Sequence, residues 1–170
     1  MNLAQAQVVQ GKSALTVTLG DTTIQLPNEV AARFDIAPRS GQAVILGIRR
    51  EDIFSASRKS SAQLATMKAK IDRVEALGAS VLGYFSVNAA PPRAAAVSAV
   101  PAEEVLTEAP LTGFSGTFFC ATFEPRSMLR IGDSVEVAID LERLHFFDPE
   151  TDASLLREPA ASNSKPAAKK

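Results

Sequence analysis

The chain is poor in the residues on which thiol and metal chemistry depend. It has one cysteine, Cys120, and one histidine, His145, in 170 residues. A single cysteine excludes an internal disulfide, and with no secretory leader a reducing cytosolic compartment is the expected setting. A lone histidine without a nearby His or Cys falls short of the three or four ligands that a metal site needs. Charge of one sign is lacking as well. Lys plus Arg number 18 and Asp plus Glu number 19, for a net charge of -1. A near-neutral chain has no general attraction to nucleic acid or to an anionic membrane. No run approaches the roughly 20 apolar residues of a membrane helix. Residues Met1 to Gly11 lack a basic start followed by an apolar stretch. Any work at a membrane is therefore expected to go through partners.

What is present is the mix of an ordinary globular protein, with 46% apolar and 22% charged residues. The length suits one domain, or two small subdomains sharing a core. Short strands dominate the pattern. Leu15 to Leu19 alternates apolar and polar, and Thr22 to Leu26 continues the alternation after a hairpin turn at Gly20-Asp21. Pro27-Asn28 precedes a short helix over Glu29 to Phe34, with Asn28 as its expected cap. After a turn at Pro38 to Gly41, Ala43 to Ile48 is apolar throughout, as in a strand buried on both faces. Ser55 to Ala65 reads as a polar loop, and Met67 to Glu75 as a long alternating strand. Further strands are expected at Val81 to Val87, Gly116 to Phe123 and Ser134 to Asp140. Residues 88–113 form an Ala/Pro-rich, low-complexity insertion expected to be mobile, and 158–170 an expected disordered tail. Many short strands and almost no helix argue for an all-β fold, a small barrel or sandwich.

One apparent motif is a decoy. Ala6 to Ser13 fits a relaxed phosphate-loop pattern ending in Gly11-Lys12-Ser13. A working P-loop needs a buried strand before it, a flexible Gly-rich turn and a helix after it. Only five residues precede this match, Val8-Val9 occupies the turn, and Leu15 to Leu19 follows with strand periodicity. Gly11-Lys12 reads better as a hairpin turn. No Leu-Ser-Gly-Gly signature is present.

Several peptides together carry a family resemblance. They are Met1-Asn2-Leu3, Gly47-Ile48-Arg49-Arg50-Glu51-Asp52, Val74-Glu75-Ala76-Leu77-Gly78, Gly132-Asp133-Ser134-Val135 and His145-Phe146-Phe147-Asp148-Pro149-Glu150-Thr151. In this order they resemble the C-terminal transport-associated OB (TOBE) regulatory domain of sugar-type ABC importer ATP-binding subunits, the maltose and glycerol-phosphate importer family. Each motif is short, and the specificity lies in their order and spacing. The resemblance covers about Met1 to Leu155, apart from the insertion. Two positions depart from it: Arg50 stands where the family has Pro, and Asp152 where it usually has Gly. The resemblance implies an OB-like fold of one or two small intertwined β-barrel units, spanning 1–157 with halves of roughly 1–56 and 66–157. It implies no cofactor, no metal and no catalysis of the chain's own, since the ATPase domain is expected to be missing. It implies self-association, contact with an ATPase domain, and docking of a regulatory protein, at the inner face of the cell membrane through transporter permeases. The motif positions expected to be structural or interfacial are Gly47, Ile48, Arg49, Glu51, Asp52, Glu75, Gly78, Gly132, Asp133, His145, Phe147, Asp148 and Thr151.

Sharper chemistry at these positions has plainer rivals. His145 is expected to cap a turn rather than act as a base. Glu51-Asp52 and Asp148 with Glu150 read as exposed turn acids rather than an acid/base pair, and Asp148-Pro149 favours a turn. Arg49 follows a buried strand and is expected to pair with Glu51 or Glu75. Cys120 has no His or Lys beside it to lower its pKa and is expected to be a core thiol. Arg49, Arg50, Arg58, Lys59, Lys68, Lys70 and Arg73 make a basic concentration of the kind an OB-type nucleic-acid groove uses. The phenylalanines at 114, 118, 119, 123, 146 and 147 are expected in the core instead, so nucleic acid is not an expected partner. A sensor for an oxyanion or a sugar is the other alternative, although no anion-binding turn repeats in both halves.

Overall fold

The computed structural model describes residues 1–11, 14–58, 60–92 and 116–157. Most of the Ala/Pro insertion, the tail 158–170, Phe114, Lys59 and Lys12-Ser13 lie outside the described residues. The described residues form ten strands: β1 Asn2–Gln10, β2 Leu15–Leu19, β3 Thr22–Leu26, β4 Ala43–Ile48, β5 Ile53–Ser55, β6 Leu64–Ala76, β7 Val81–Val87, β8 Thr117–Phe123, β9 Ser134–Asp140 and β10 His145–Phe147. Among the described residues one short α-helix, α1 Asn28–Ala32, interrupts them. The fold is all-β and OB-like, as the strand pattern predicts.

The strands form two bodies. An antiparallel sheet has the order β10-β4-β1-β2-β3, and a closed barrel has the order β5-β8-β7-β6-β9. The short β5 closes the barrel between β9 and β8, meeting β8 at a single residue pair. Its one parallel contact is β5 to β8, at Phe54 and Thr122. The chain crosses between the bodies twice. It enters the barrel at β5, and after β9 it returns to the sheet at β10, where His145, Phe146 and Phe147 pair with Gly47, Leu46 and Ile45.

Alternation explains which side chains fill the core. Leu15, Val17 and Leu19 of β2 face inward at 5%, 0% and 0% exposure, while Thr16 and Thr18 face outward. On β8 the inward residues are Phe119, Ala121 and Phe123. Strand β4 is covered on both faces from Val44 to Ile48, as its unbroken apolar run predicts. Phe34, following α1, meets Phe146 edge to face with ring centroids 4.9 Å apart, a preferred aromatic geometry. The long strand β6 shifts register between Ile71 and Arg73, where it turns from β9 toward β7.

One local expectation is corrected. Asn28 does not cap α1: it is the first helical residue, Pro27 is the extended cap, and no side-chain cap bond forms. Pro27 takes that role because its fixed φ of -58° and its ψ of 147° already turn the chain into the helix. The β2–β3 turn holds Gly20 at φ +56°, and a Cβ there would lie 2.5 Å from the Asn88 carbonyl oxygen. Glycine is thus required twice over, by backbone conformation and by the close approach of Asn88. Residues just after β7 accordingly lie against the sheet. The Gln5 amide donates to the Ala90 carbonyl at 2.8 Å, and the Asn88 side-chain amide donates to Asp21.

Candidate functional site at the junction of sheet and barrel

The two most distinctive peptides of the sequence are brought together by the β4–β10 ladder. Gly47 pairs with His145 in β10 and with Leu3 in β1. A Cβ at Gly47 would lie 3.0 Å from both the Met1 sulfur and the Phe147 ring. The missing side chain is what lets those two groups close over β4. Ile48 is fully buried beside Asn2. The chain then turns through Arg49 and a 3-10 turn over Arg50–Asp52 into the barrel.

Asn2 is the only buried polar side chain among the described residues, at 7% exposure. Its carboxamide oxygen accepts from the Cys120 amide at 2.7 Å, and its amide nitrogen donates to the Cys120 carbonyl at 2.9 Å. The side chain thus imitates a neighbouring strand and satisfies the outer edge of β8, which would otherwise carry unpaired backbone groups. It couples the first residues of the sheet to the barrel. Sequence reasoning used Asn2 only as part of a resemblance. A polar residue in phase with the buried Ala4, Ala6 and Val8 is the signal that marks it.

Around His145 the junction carries charges of both signs. Burial pushes the His145 imidazole below its usual pKa, Arg49 and Arg33 add to that, and Asp52 opposes it. Burial raises the Asp52 carboxyl, with Glu51 and Asp140 in the same direction and Arg143 and Arg49 against. The His145 ring lies over that of Phe147 with centroids 6.5 Å apart and planes 21° apart. Arg33 donates to the Glu142 carbonyl at 2.7 Å, tying the segment after α1 to the 3-10 turn Leu141–Arg143. Glu51 is exposed in its turn, whereas Asp52 is only partly exposed.

The loop after β10 is built around Asp148. Its carboxylate accepts from the amides of Glu150 at 2.9 Å and Thr151 at 3.0 Å. Those two donors, with Arg39 at 2.7 Å, hold its pKa at about 2. Arg39 comes from the 3-10 turn Ala37–Arg39 of the sheet half and was missed by sequence reasoning, because nothing local links it to a residue so far along the chain. Asp152 takes φ +58°, so the left-handed turn is kept although Gly is absent.

The remaining motif positions lie on the barrel, away from His145. Glu75 of β6 accepts from the Tyr84 hydroxyl at 2.9 Å and pairs with Arg73 at 3.2 Å. Arg73 in turn lies over the Tyr84 ring at 4.1 Å. Gly78 turns β6 into β7 at φ +73°, and Gly132 turns into β9 at φ +90°. The Asp133 carboxylate accepts from the Arg130 amide at 2.9 Å.

Four expectations do not hold. Arg49 is exposed and belongs to none of the ion pairs among the described residues, because Glu75 is taken by Arg73. His145 is a strand residue of β10 rather than a turn cap. Cys120 points outward from β8 and is half-buried, since Phe119 and Ala121 hold the inward phase. Burial still raises its pKa. Phe118 shares that outward phase and is 53% exposed, whereas Phe119, Phe123 and Phe146 are core. Residues 6–10 of the phosphate-loop match lie in β1, where residues 7 to 10 pair with β2, and the Gly11 amide donates to the Ala14 carbonyl; the rest of the match, residues 12 and 13, lies outside the described residues. Among the described residues no group of three or more His, Cys, Asp or Glu is placed to hold a metal ion, and no helix is long and apolar enough to cross a membrane.

Residues 1–53, the span of strands β1 to β4, match the family described as the MalK OB fold domain. The chain is also similar to the trehalose import ATP-binding protein SugC of Mycobacterium tuberculosis strain CDC 1551 / Oshkosh. The two are 31% identical over 144 residues, which cover 83% of this chain and 35% of that protein. The same protein from strain ATCC 25618 / H37Rv matches with the same identity and coverage. The chain therefore spans about a third of the length of the curated relatives it matches. With residues 1–53 matching a MalK-type OB domain and a longer stretch resembling an importer's ATP-binding protein, the chain is similar to the OB-type region of a sugar importer's ATP-binding subunit.

Proposed function

We propose that this chain is a non-catalytic regulatory and assembly domain, of the transport-associated OB type, from the ATP-binding subunit of an ABC importer for sugars or related solutes. The observation that carries this reading is the likeness to a trehalose import ATP-binding protein over 83% of the chain. The whole relative is named for ATP binding, yet residues 6–10 of the phosphate-loop match in this chain lie in a sheet strand. The motor is thus assigned to another part of the subunit.

The domain works through its surface. Its partners are the ATPase domain of the importer, a second copy of itself, and a regulatory protein. It reaches the membrane only through the transporter's permeases, on the cytoplasmic side. The intertwining of the two bodies suits such a role. Strand β10 and the Asn2–Cys120 bond lock sheet to barrel, so a load on one body passes to the other. The charged seam around His145 and the Arg73–Tyr84–Glu75 cluster offer polar surface of mixed sign, which favours specific docking over tight, nonspecific adhesion.

The test is co-assembly. The chain and a separately produced ATP-binding domain of a trehalose importer are mixed and run on a sizing column. Co-elution, with no ATP hydrolysis by this chain alone, is expected. ATP turnover by the purified chain would refute the reading.

A further inference from the structure

At one end of the barrel an open cleft of about 550 Å³ lies between the exit of β5 and the β8–β9 connection. Its apolar floor is Phe123, Leu129 and Val135, and its walls carry Ser57, Asp133 and Glu136. Gly83 makes room for the floor, because a Cβ there would come within 2.7 Å of the Phe123 ring and 2.8 Å of Leu129. The two carboxylates are the only charged groups on the lining. Neighbouring cations are engaged elsewhere or stand apart. Arg58 lies over the Phe54 ring at 4.7 Å, and Arg126 and Arg130 do not line the cleft although they belong to the same connection. Lys68 stands opposite Glu136 in the β6–β9 register but forms no ion pair with it. Asp133 accepts from the Arg130 amide through one oxygen, Oδ2, at 2.9 Å. The rim is apolar and exposed. Met128, which lines the cleft, is 81% exposed, and Ile131 on the same connection is 70% exposed. A small-molecule site encloses its ligand. An open cleft beside exposed Met and Ile has the make-up of a protein-binding patch.

We infer that this cleft is the docking point for an arginine of a partner protein, flanked in that partner by apolar residues. The inference rests on the reading of this chain as a domain that works through its surface, and it supplies the chemistry of the regulatory partner. The aliphatic stem of the arginine packs on Leu129 and Val135. Its guanidinium, with five N–H donors in a planar fork, reaches the Asp133 and Glu136 carboxylates. The flanking apolar residues cover Met128 and Ile131. Lysine fits less well, because its ammonium is a compact, strongly hydrated charge without the fork. An acidic anchor would meet two carboxylates and no lining cation. Arginine in a partly desolvated pocket ringed by apolar contacts is a common anchor of protein interfaces.

Nitrogen-15 NMR titration of the full chain tests the inference. The probe is a blocked pentapeptide, Ala-Leu-Arg-Leu-Ala, and the comparison is its citrulline counterpart, which keeps the shape without the charge. Saturable shifts of the Ser57, Leu129 and Glu136 amides are expected with the arginine peptide, at a Kd on the order of 1 mM for a single anchor. Binding of the citrulline peptide should be about tenfold weaker or more. Glu136→Gln, an exposed change on β9, should weaken the arginine peptide about tenfold. Asp133→Asn should do the same, since its amide oxygen still accepts from the Arg130 amide and the fold is kept. The arginine peptide leaving these amides unmoved, the citrulline peptide binding equally well, guanidinium ion alone shifting them at the same concentrations, or both variants binding like the wild type would each overturn the inference. Co-elution with the ATP-binding domain is read separately. If the chain co-elutes but the peptide does not bind, this inference falls and the assembly reading stands.

Discussion

Removing the Asn2 carboxamide should cost far more than its position beside the first residue suggests. The side chain is buried to 7% exposure and makes two bonds to one residue, at 2.7 and 2.9 Å from the Cys120 amide and carbonyl. Each such bond contributes about 1 kcal/mol net, and backbone groups left unpaired under partial cover add a desolvation cost. Asn2→Ala is therefore expected to lower stability by about 2–3 kcal/mol. Asn2→Asp separates the two bonds. The carboxylate still accepts from the Cys120 amide but faces the Cys120 carbonyl with no proton to donate. At neutral pH this variant should be at least as unstable as the alanine variant. Its own carboxyl pKa is then raised in the folded state. Such a group favours folding below its unfolded pKa, and the benefit fades as pH rises through the folded value. The aspartate variant should consequently recover toward wild type on acidification, and the alanine variant should not. Urea unfolding at neutral pH and near pH 4 reads both effects, with the midpoint reporting stability and the slope checking two-state behaviour. A loss under about 0.5 kcal/mol for Asn2→Ala, the level of an ordinary surface change, would refute the claim that this side chain joins sheet to barrel.

Three further outcomes are expected. Asp152, held at φ +58°, should gain about 0.5–1 kcal/mol on change to Gly, which carries no Cβ penalty in the left-handed region; a higher thermal midpoint checks this. His145 has a folded pKa below 6.5, so the unfolded chain binds its proton more readily. Its contribution is complete above pH 6.5 and is lost as pH falls below that value, and His145→Gln should flatten this part of the stability profile. Asp148, held at about 2 against an ordinary 3.8, stabilises the fold above pH 3.8 and stops doing so as pH falls toward 2. Asp148→Ala should remove that acid limb, and Arg39→Ala should weaken it only in part, because the Glu150 and Thr151 amides contribute more.

Much of the fold is legible from side-chain periodicity. Strands β2, β3, β4, β6, β7 and β9 follow directly from alternating or continuous apolar runs. Strand β1 was obscured because its inward positions are Asn2, Ala4, Ala6 and Val8, and alanine alternating with glutamine is a faint apolar signal. Strand β10 is three residues long and has no period of its own; it exists because β4 offers it an edge. Phe118-Phe119 leaves the phase of β8 ambiguous. Packing resolves it by drawing Phe119, Ala121 and Phe123 inward, which turns Cys120 and Phe118 outward. At the junction the residues of the two family-like peptides could be named, but their neighbours could not. Arg39 and Asp148 are 109 residues apart, as are Arg33 and the Glu142 carbonyl, and no local rule in the sequence connects such pairs.

The central claim is that this chain assembles rather than catalyses. Its most direct test is the solution mass by light scattering across a wide concentration range, with residues 164–170 removed. The mass is expected to rise from monomer toward dimer with concentration. A mass fixed at the monomer throughout would contradict self-association as the domain's work.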